Sequence, residues 1–271
     1  MPELPEVETT RRGIAPWLER RRIAGCLVRE RRLRWPIPDD METHLAGCLV
    51  ERVQRRGKYL LLRTVRGTAL MHLGMSGSLQ VLPAAAAPGR HDHYDLVLES
   101  GKCVRFTDPR RFGSLLWTEA DPAAHPLLAA LGPEPLEPEF SGDYLWRRAR
   151  GRKVAVKLFI MNAAIVVGVG NIYASEALYR AGIDPRRAAG RVSRAAMARL
   201  ATSIRAVLGD ALHLGGTTLR DFRHATGKTG GFEPQLRVYG RAGLSCPACE
   251  TPILHIVQGQ RSTYYCPVCQ R

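Results

Sequence analysis

The sequence predicts an α+β protein of two compact units with a small appendage at the end, and three observations support this. Residues 23–117 contain short stretches, such as CLVERVQRRGKYLLLRTV, that are rich in branched apolar residues or alternate between apolar and polar residues. Glycines separate these stretches, and the pattern is typical of β-strands. From Tyr144 to about Leu214 the apolar spacing is helical, and glycines divide it into short helices. Two CxxC pairs close the chain of 271 residues. We therefore expect a strand-rich sandwich or barrel-like unit followed by helices.

The chain also contains an amino-terminal helix and two irregular stretches. Pro5 suits a first helical turn and Glu6 and Glu8 complement the helix dipole there, so a helix is predicted over residues 6–20. The stretch 121–140 is rich in proline and alanine and predicts the connection between units. The stretch 215–232 has five glycines and no periodicity, which predicts a mobile loop.

The charge is strongly basic, with 40 Lys and Arg against 25 Asp and Glu and a formal net charge of +15. Residues 141–231 hold sixteen of these cations and only five acidic residues. Such an excess favours a polyanionic partner, above all a nucleic acid, although arginine enrichment from genome base composition remains an alternative. No apolar run reaches the length of a membrane span and no signal-peptide core is present, so we expect a cytoplasmic protein without a membrane partner.

Four cysteines at the carboxyl end have the spacing of a metal site. The pairs Cys246 with Cys249 and Cys266 with Cys269 are separated by sixteen residues. Each CxxC supplies two thiolates from one tight turn, so the pattern predicts one structural Zn²⁺, which leaves no position open for chemistry. Disulfides are disfavoured in a cytosolic protein. Arg261 lies between the two cysteine pairs. It is interpreted either as a phosphate contact or as a solvated charge on the hairpin.

The first residues, MPELPEVETT, allow two readings. If aminopeptidase removes Met1, which a small second residue permits, Pro2 presents a secondary amine whose pKa of ~8 leaves much of it uncharged and nucleophilic near neutrality. Glu3 is placed to act as its acid or base. From these residues alone, a helix amino terminus with ordinary acidic capping is the favoured interpretation of the segment.

A set of motifs distributed over the chain distinguishes these readings. PELPEVET, RGKYL, HLGMSG, TDPRRFG, GVGNIYASEAL, GGTTLRDF and RSTYYCPVCQ occur in order between Pro2 and Gln270. Together they resemble the formamidopyrimidine-DNA glycosylase family of bacterial base-excision repair enzymes. The resemblance implies an amino-terminal catalytic β-sandwich with a leading helix, then a helix-two-turn-helix domain and a zinc-finger hairpin. The corresponding boundaries are 1–120, a linker at 121–140, 141–231 with a lesion-recognition loop at 215–232, and 233–271.

The resemblance also implies residue roles. Pro2 is the nucleophile that forms a Schiff base with the sugar, Glu3 its acid/base partner with Glu6 in support, and Lys58 the ammonium that holds a phosphate beside the lesion. Met75, Arg110 and Phe112 match positions that fill the hole left by an everted nucleotide, although core hydrophobes and a turn arginine would be the simpler interpretation without it. The other DNA contacts implied are His72, His91, Arg111, Arg152, Asn171 and Arg261.

The implied activity is removal of oxidised purines, 8-oxoguanine and formamidopyrimidines, from duplex DNA by a monomer, with β,δ-elimination at the abasic site. Two departures bear on lesion preference: Asn162 and Ala164 before VVGVGN, and Thr229 and Gly231 in GKTGGF. The alternatives are an endonuclease VIII-like enzyme for oxidised pyrimidines, which usually has glycine where Leu4 stands, and a non-catalytic zinc-finger DNA-binding protein of the same fold.

Overall fold

The computed structural model describes residues 2–216, 232 and 235–271, and these form two compact units. The first comprises residues 2–129 with 215 and 216, and the second comprises 130–214, 232 and 235–271. Among the described residues, none of the helices has the length and apolar character needed to cross a membrane.

The first unit is a β-sandwich with a helix at its start. Its elements are α1 (Leu4–Leu18), β1 (Ile23–Val28), α2 (Met41–Leu45), β2 (Val50–Arg56), β3 (Tyr59–Thr64), β4 (Gly67–His72), β5 (Ser78–Pro83), β6 (Asp92–Leu98), β7 (Lys102–Thr107), β8 (Ser114–Thr118), a 3₁₀ turn (Pro122–Ala124) and α3 (Pro126–Ala129). One antiparallel sheet has the strand order β1-β6-β7-β5 and the other β2-β3-β4-β8. The two separate sheets show that the first unit is a sandwich and not a barrel.

The sandwich core is built from the apolar positions of both sheets and of α1. Leu18, Leu62, Leu96 and Val104 are fully buried in one cluster, as the alternation of the strands requires. Helix α1 begins two residues earlier than the sequence predicted, because Glu3 serves as its N-cap and Pro5 lies in its first turn.

The second unit consists of helices and a carboxyl-terminal hairpin. Its elements are α4 (Gly142–Ala149), α5 (Val156–Met161), α6 (Asn171–Ala181), a 3₁₀ turn (Ala189–Arg191), α7 (Arg194–His213), β9 (Leu254–Gln258) and β10 (Arg261–Tyr265). Helix α7 packs against α4 and α6, and two turns over residues 162–170 connect α5 to α6. This α5–turns–α6 unit is the helix-two-turn-helix. The second cysteine pair comes directly after the hairpin β9–β10 in the chain.

The stretch predicted as a connection is partly ordered into helical turns. Asp121 caps the 3₁₀ turn by accepting a hydrogen bond from the Ala123 N–H at 3.0 Å. Leu128 and Phe140 are buried, and the guanidinium carbon of Arg205 lies 6.0 Å from the Phe140 ring centroid. Proline content alone does not reveal these apolar anchors.

Candidate functional site

The amino-terminal segment is held rigidly against its own helix. Pro2, Glu3 and Glu6 are all buried. The backbone N–H of Glu3 donates a 2.8 Å hydrogen bond to the Glu6 carboxylate, one half of a capping box between the two glutamates. Glu6 therefore fixes the backbone that carries Glu3 and Pro2, while its supporting role in catalysis stays a prediction. Met1 lies outside the described residues, so its removal stays a prediction.

The backbone of Gly216 approaches the Glu6 carboxylate closely. Gly216 has a φ of +85°, and a Cβ built there would lie 2.8 Å from Oε1 of Glu6. Only glycine allows the backbone this approach without steric overlap. Residues 217–231, which include Thr229 and Gly231 of the predicted lesion-recognition loop, lie outside the described residues.

In the first unit, the charge of Lys58 acts on a buried histidine, His72. Lys58 lies between β2 and β3 and is half-buried. Burial, and then the positive charges of Lys58 and Arg34, lower the pKa of His72 to about 4. The Gly74 N–H donates a 2.9 Å hydrogen bond to Nδ1 of His72, which leaves the imidazole proton on Nε2. His72 therefore offers a neutral N–H donor to an acceptor such as a phosphate oxygen.

Two loops of the sandwich carry the residues predicted to fill a vacated base position. The methionine turn, residues 73–77, contains Met75, which is half-buried, and the arginine loop, residues 108–113, contains Arg110 and Phe112. Phe112 is 41% exposed, and the guanidinium carbon of Arg110 lies 4.8 Å from its ring centroid. An exposed aromatic ring stacked with an arginine is a surface suited to base contacts.

Two further predicted contacts in this unit have structural partners. Arg111 forms a 3.2 Å ion pair with Glu30, and its φ of +56° places it in the left-handed region. The carbonyl of His91 accepts a hydrogen bond from the Asp108 N–H at 3.0 Å, and His91 is half-buried. Both residues therefore also support the loops that surround them.

In the second unit, a buried lysine that the sequence analysis missed organises Asn171. The Nζ atom of Lys157 donates hydrogen bonds of 2.6 Å to Oδ1 of Asn171 and 2.8 Å to Oγ1 of Thr263. It also donates one of 2.8 Å to the carbonyl of Ser262, which accepts a second bond of 2.9 Å from Nδ2 of Asn171. A single lysine inside the apolar run VAVKLFIM was the available signal, since an unpaired ammonium there would be costly.

This network joins the start of α6 to the hairpin that bears Arg261. Asn171 is the first residue of α6, and Arg261 is the first residue of β10, directly before Ser262. Arg261 is exposed beside the two-residue turn Gly259–Gln260. Within the second unit, Asn171 and the hairpin strand that Arg261 begins therefore share one hydrogen-bonded frame.

A second missed residue, Glu176, fixes the chain that leads into the cysteine region. Its buried carboxylate accepts hydrogen bonds from the backbone N–H groups of Arg237, Val238 and Tyr239 at 2.9, 3.0 and 2.8 Å. Three N–H donors satisfy the hydrogen-bonding capacity of a carboxylate that is buried away from water.

Arg152 and Asn162 lie on exposed turns of the same unit. Arg152 follows α4, and its backbone carbonyl accepts a hydrogen bond from Gly190 at 2.9 Å. Asn162 ends α5, and its side chain accepts a 2.9 Å hydrogen bond from the Ala164 N–H. The departure at Asn162 and Ala164 therefore preserves a local turn.

The four carboxyl-terminal cysteines form a metal site. Their Sγ atoms all lie within 4.8 Å of one another, with 3.4 Å between Cys249 and Cys266 and 3.8 Å between Cys246 and Cys269. Four sulfurs at ~2.3 Å from a tetrahedral zinc ion stand ~3.8 Å apart, whereas a disulfide needs ~2.05 Å. The geometry fits one structural Zn²⁺ with a closed coordination shell, as predicted.

The metal site has an additional hydrogen-bond donor from the helical part of the unit. The Tyr179 hydroxyl, on α6, lies 3.3 Å from the Cys246 sulfur. Burial raises the pKa of the Cys246 thiol, but hydrogen bonds from Tyr179 and from the backbone of Ala248 and Cys249 outweigh it and bring the pKa to about 6. Cys26, Cys48 and Cys103 are buried free thiols outside this site.

Comparison with protein families agrees with this arrangement in three consecutive segments. Residues 1–115 match the formamidopyrimidine-DNA glycosylase N-terminal domain, and residues 131–223 match the H2TH domain of the same glycosylase. Residues 243–271 match the zinc finger found in FPG and IleRS.

Individual relatives match over the whole chain. The formamidopyrimidine-DNA glycosylase of Thioalkalivibrio sulfidiphilus is 60% identical over 271 residues, covering 100% of both chains. The crystal structure of the MutM (FPG) protein of Thermus thermophilus has a TM-score of 0.90 at 37% identity, covering 99% of this chain and 98% of that one. Lactococcus lactis FPG is similar at 28–29% identity, with TM-scores of 0.90 in complex with a Fapy-dG containing DNA and 0.91 with an oxidised pyrimidine containing DNA, covering at least 99% of both chains. The chain belongs to the formamidopyrimidine-DNA glycosylase family, the DNA glycosylases of base-excision repair.

Proposed function

We propose that this protein removes oxidised purines from duplex DNA through a Schiff base on Pro2 and then cleaves the abasic strand. The observation that carries the proposal is the capping box, which holds the Pro2–Glu3 segment in a fixed position at the start of α1. A positioned amine with a carboxyl group beside it is the arrangement that nucleophilic catalysis needs.

The reaction begins once Met1 has been removed and Pro2 carries a free secondary amine. The amine attacks C1′ of the damaged nucleotide, the bond from C1′ to the base breaks, and the base leaves with a proton. Glu3 acts as the acid and base for this exchange and for opening of the sugar ring. The resulting iminium acidifies the C2′ proton, whose loss expels the 3′ phosphate, and a second elimination expels the 5′ phosphate.

The DNA contacts divide between the two units. In the first, Lys58 with its ammonium and His72 with its neutral Nε2–H contact phosphates, with His91 and Arg111 beside them. Met75 and Phe112 wedge into the stack while Arg110 donates to the orphaned base. In the second, Asn171, Arg152 and Arg261 contact the backbone, consistent with the basic charge of residues 141–231.

The substrate preference for oxidised purines rests on the family and on Leu4, which is fully buried as the first residue of α1. Oxidised pyrimidines are the second candidate, because the Lactococcus lactis relative has been crystallised with DNA that contains one. An excision panel of 8-oxoguanine, formamidopyrimidine and oxidised pyrimidines in one duplex sequence distinguishes the two. Faster excision of a pyrimidine lesion than of 8-oxoguanine would reverse the assignment.

Borohydride trapping on a duplex with 8-oxoguanine opposite cytosine tests the chemistry. We expect the processed protein to become covalently linked to DNA through Pro2, and Pro2→Gly, a primary amine, to be trapped more slowly. A tag fused before Pro2 blocks the amine and should abolish trapping, while the same tag after Arg271 serves as the matched control. Absence of an adduct on every oxidised base, with a correctly processed terminus, would refute the Schiff-base mechanism.

A further inference from the structure

Asp108, in the TDPRRFG stretch, is a fully buried carboxylate that the proposed reaction does not use. Its Oδ1 atom accepts hydrogen bonds from the Ser76 hydroxyl at 2.6 Å and from the Arg110 backbone N–H at 3.2 Å. Its Oδ2 atom accepts one from the Gly113 N–H at 2.8 Å. The carboxylate at the start of the arginine loop therefore bonds the middle and the end of that loop and connects them, through Ser76, with the methionine turn.

The two loops are also packed together through their backbones. Gly74 has a φ of +65°, and a Cβ placed there would overlap the carbonyl carbon of Phe112. Any side chain at Gly74 would push the methionine turn away from the arginine loop. The Asp108–Ser76 hydrogen bond and this glycine contact therefore hold the same pair of loops from two points.

The backbone of Asp108 is fixed as firmly as its side chain. Its carbonyl accepts a 2.6 Å hydrogen bond from Nε2 of the buried His93 and a 3.2 Å one from the Arg111 N–H. The latter bond helps to hold Arg111 at its positive φ, a conformation that costs free energy in a residue with a side chain. The exposed side chains of Arg110 and Phe112 therefore project from a backbone that Asp108 determines.

We propose that Asp108 is a positioning residue that makes the methionine turn and the arginine loop one rigid body, so that Met75, Arg110 and Phe112 enter the duplex together. The inference rests on the proposed function, since it assumes that these three side chains occupy the vacated base position. A preformed wedge pays less conformational entropy when it inserts than three independently ordered side chains would. The consequence is faster insertion, separate from the chemistry at Pro2.

The chemistry of the partners explains why a carboxylate is needed at this position. The three groups that bond to the Asp108 side chain, one hydroxyl and two backbone N–H groups, are all donors. An ionised carboxylate offers only acceptors. Asp108→Asn places an amide N–H₂ group against one of these donors while changing the volume little. Ser76→Ala instead removes only the connection to the methionine turn and leaves the bonds within the arginine loop.

Hydrogen–deuterium exchange in the free protein tests the rigid body without DNA. Asp108→Asn should raise amide exchange on the order of tenfold in both loops, as expected from the loss of a hydrogen bond to a buried charged acceptor. Ser76→Ala should raise it mainly in peptides that cover the methionine turn. Asp39→Asn, at a side chain that is 99% exposed, is the matched control. Unchanged exchange of the methionine turn in both variants would overturn the proposal.

Insertion of Met75, Arg110 and Phe112 is measured on a duplex that carries a tetrahydrofuran abasic site, so that no catalysis is needed. The same duplex carries 2-aminopurine beside that site. At saturating protein, the first-order rate of the 2-aminopurine fluorescence rise should fall several-fold in Asp108→Asn and less in Ser76→Ala. A merely structural role would lower the melting temperature without changing this rate in the folded protein, and that result would overturn the inference. Absence of any rise with wild-type protein would instead refute the assignment of the three inserting side chains, and the inference with it.

Discussion

The Nζ atom of Lys157 lies 2.6 Å from Oδ1 of Asn171, and Lys157 is fully buried. The same ammonium bonds the hairpin strand at Ser262 and Thr263. A buried charge with three oxygen acceptors fixes their relative positions, because any displacement leaves the charge poorly solvated. Lys157 therefore sets the position of Asn171 against the strand that Arg261 begins, without contacting DNA itself.

Replacing this lysine with methionine should weaken both folding and DNA binding. Lys157→Met fills similar space but leaves Oδ1 of Asn171 and Oγ1 of Thr263 without their shared donor, so we expect the free energy of unfolding to fall by about 2 kcal/mol. Urea denaturation measures this change. The dissociation constant for a tetrahydrofuran duplex should rise in the folded variant, because Asn171 and the hairpin lose their common anchor.

Lys153→Met is the matched control, since Lys153 is exposed four residues earlier. It removes the same charge without removing a buried donor, so its unfolding free energy should change little. Equal dissociation constants for the two variants would contradict a positioning role for Lys157 and leave only the loss of charge.

The sequence predicted best those features whose partners are close along the chain. The CxxC pairs and the cap of α1 both depend on neighbours within a few residues, and the structure has both of them. Alternation predicted strands but not their pairing, so a barrel stayed possible until the order β2-β3-β4-β8 was known.

The residues that the sequence analysis missed depend on distant partners. Lys157 meets Ser262 and Thr263 across more than 100 residues, and Asp108 meets Ser76 across 32. Buried polar networks of this kind leave no periodic signal, since a single charged residue in an apolar run is compatible with many partners. Only the folded arrangement identifies which carbonyl or hydroxyl accepts the bond.

His72 should make the stability of the protein depend on pH in the acidic range. Its pKa is about 4 in the folded protein against an ordinary 6.5, so between these values the unfolded chain binds more protons. The contribution of neutral His72 to the free energy of unfolding is therefore complete above about pH 6.5 and is lost as the pH falls toward 4. The free energy of unfolding changes by at most about 1.4 kcal/mol per pH unit in this range. His72→Asn should remove this part of the slope in urea denaturation between pH 4 and 7.

The control for this titration is His125→Asn, because Nδ1 of His125 accepts a hydrogen bond from Leu127 in the same i+2 pattern as His72 and Gly74. A second measurement isolates the electrostatic cause. Lys58→Met should raise the pKa of His72, observed by NMR titration of its ring proton, since the Lys58 charge helps to lower it. An unchanged His72 titration in that variant would show that the Lys58 charge does not contribute and that burial and the Arg34 charge lower the pKa.

Tyr179 should slow the loss of zinc from the four-cysteine site. Its hydroxyl lies 3.3 Å from the Cys246 sulfur, and hydrogen bonds to metal ligands stabilise the bound state. We expect Tyr179→Phe to release zinc to a chromogenic chelator about tenfold faster, at the lower end of the usual effect of such partners. Tyr144→Phe, which loses a 2.8 Å hydrogen bond to the Ile165 carbonyl, is the control. Equal zinc release by both variants would indicate a general loss of stability.

Arg261 should contribute one phosphate contact to DNA binding. It is exposed at the start of β10, beside the turn Gly259–Gln260, and the hairpin behind it is held by the zinc site and by Lys157. Each phosphate that a cation neutralises releases counterions, so Arg261→Ala should reduce the slope of log K against log salt by about 0.9 for duplex DNA. Fluorescence anisotropy over a salt series measures the slope, and an unchanged zinc content establishes that the hairpin is intact. Arg199→Ala removes another exposed charge, from α7. An equal reduction in that variant would mean that net charge, and not a contact at Arg261, determines the slope.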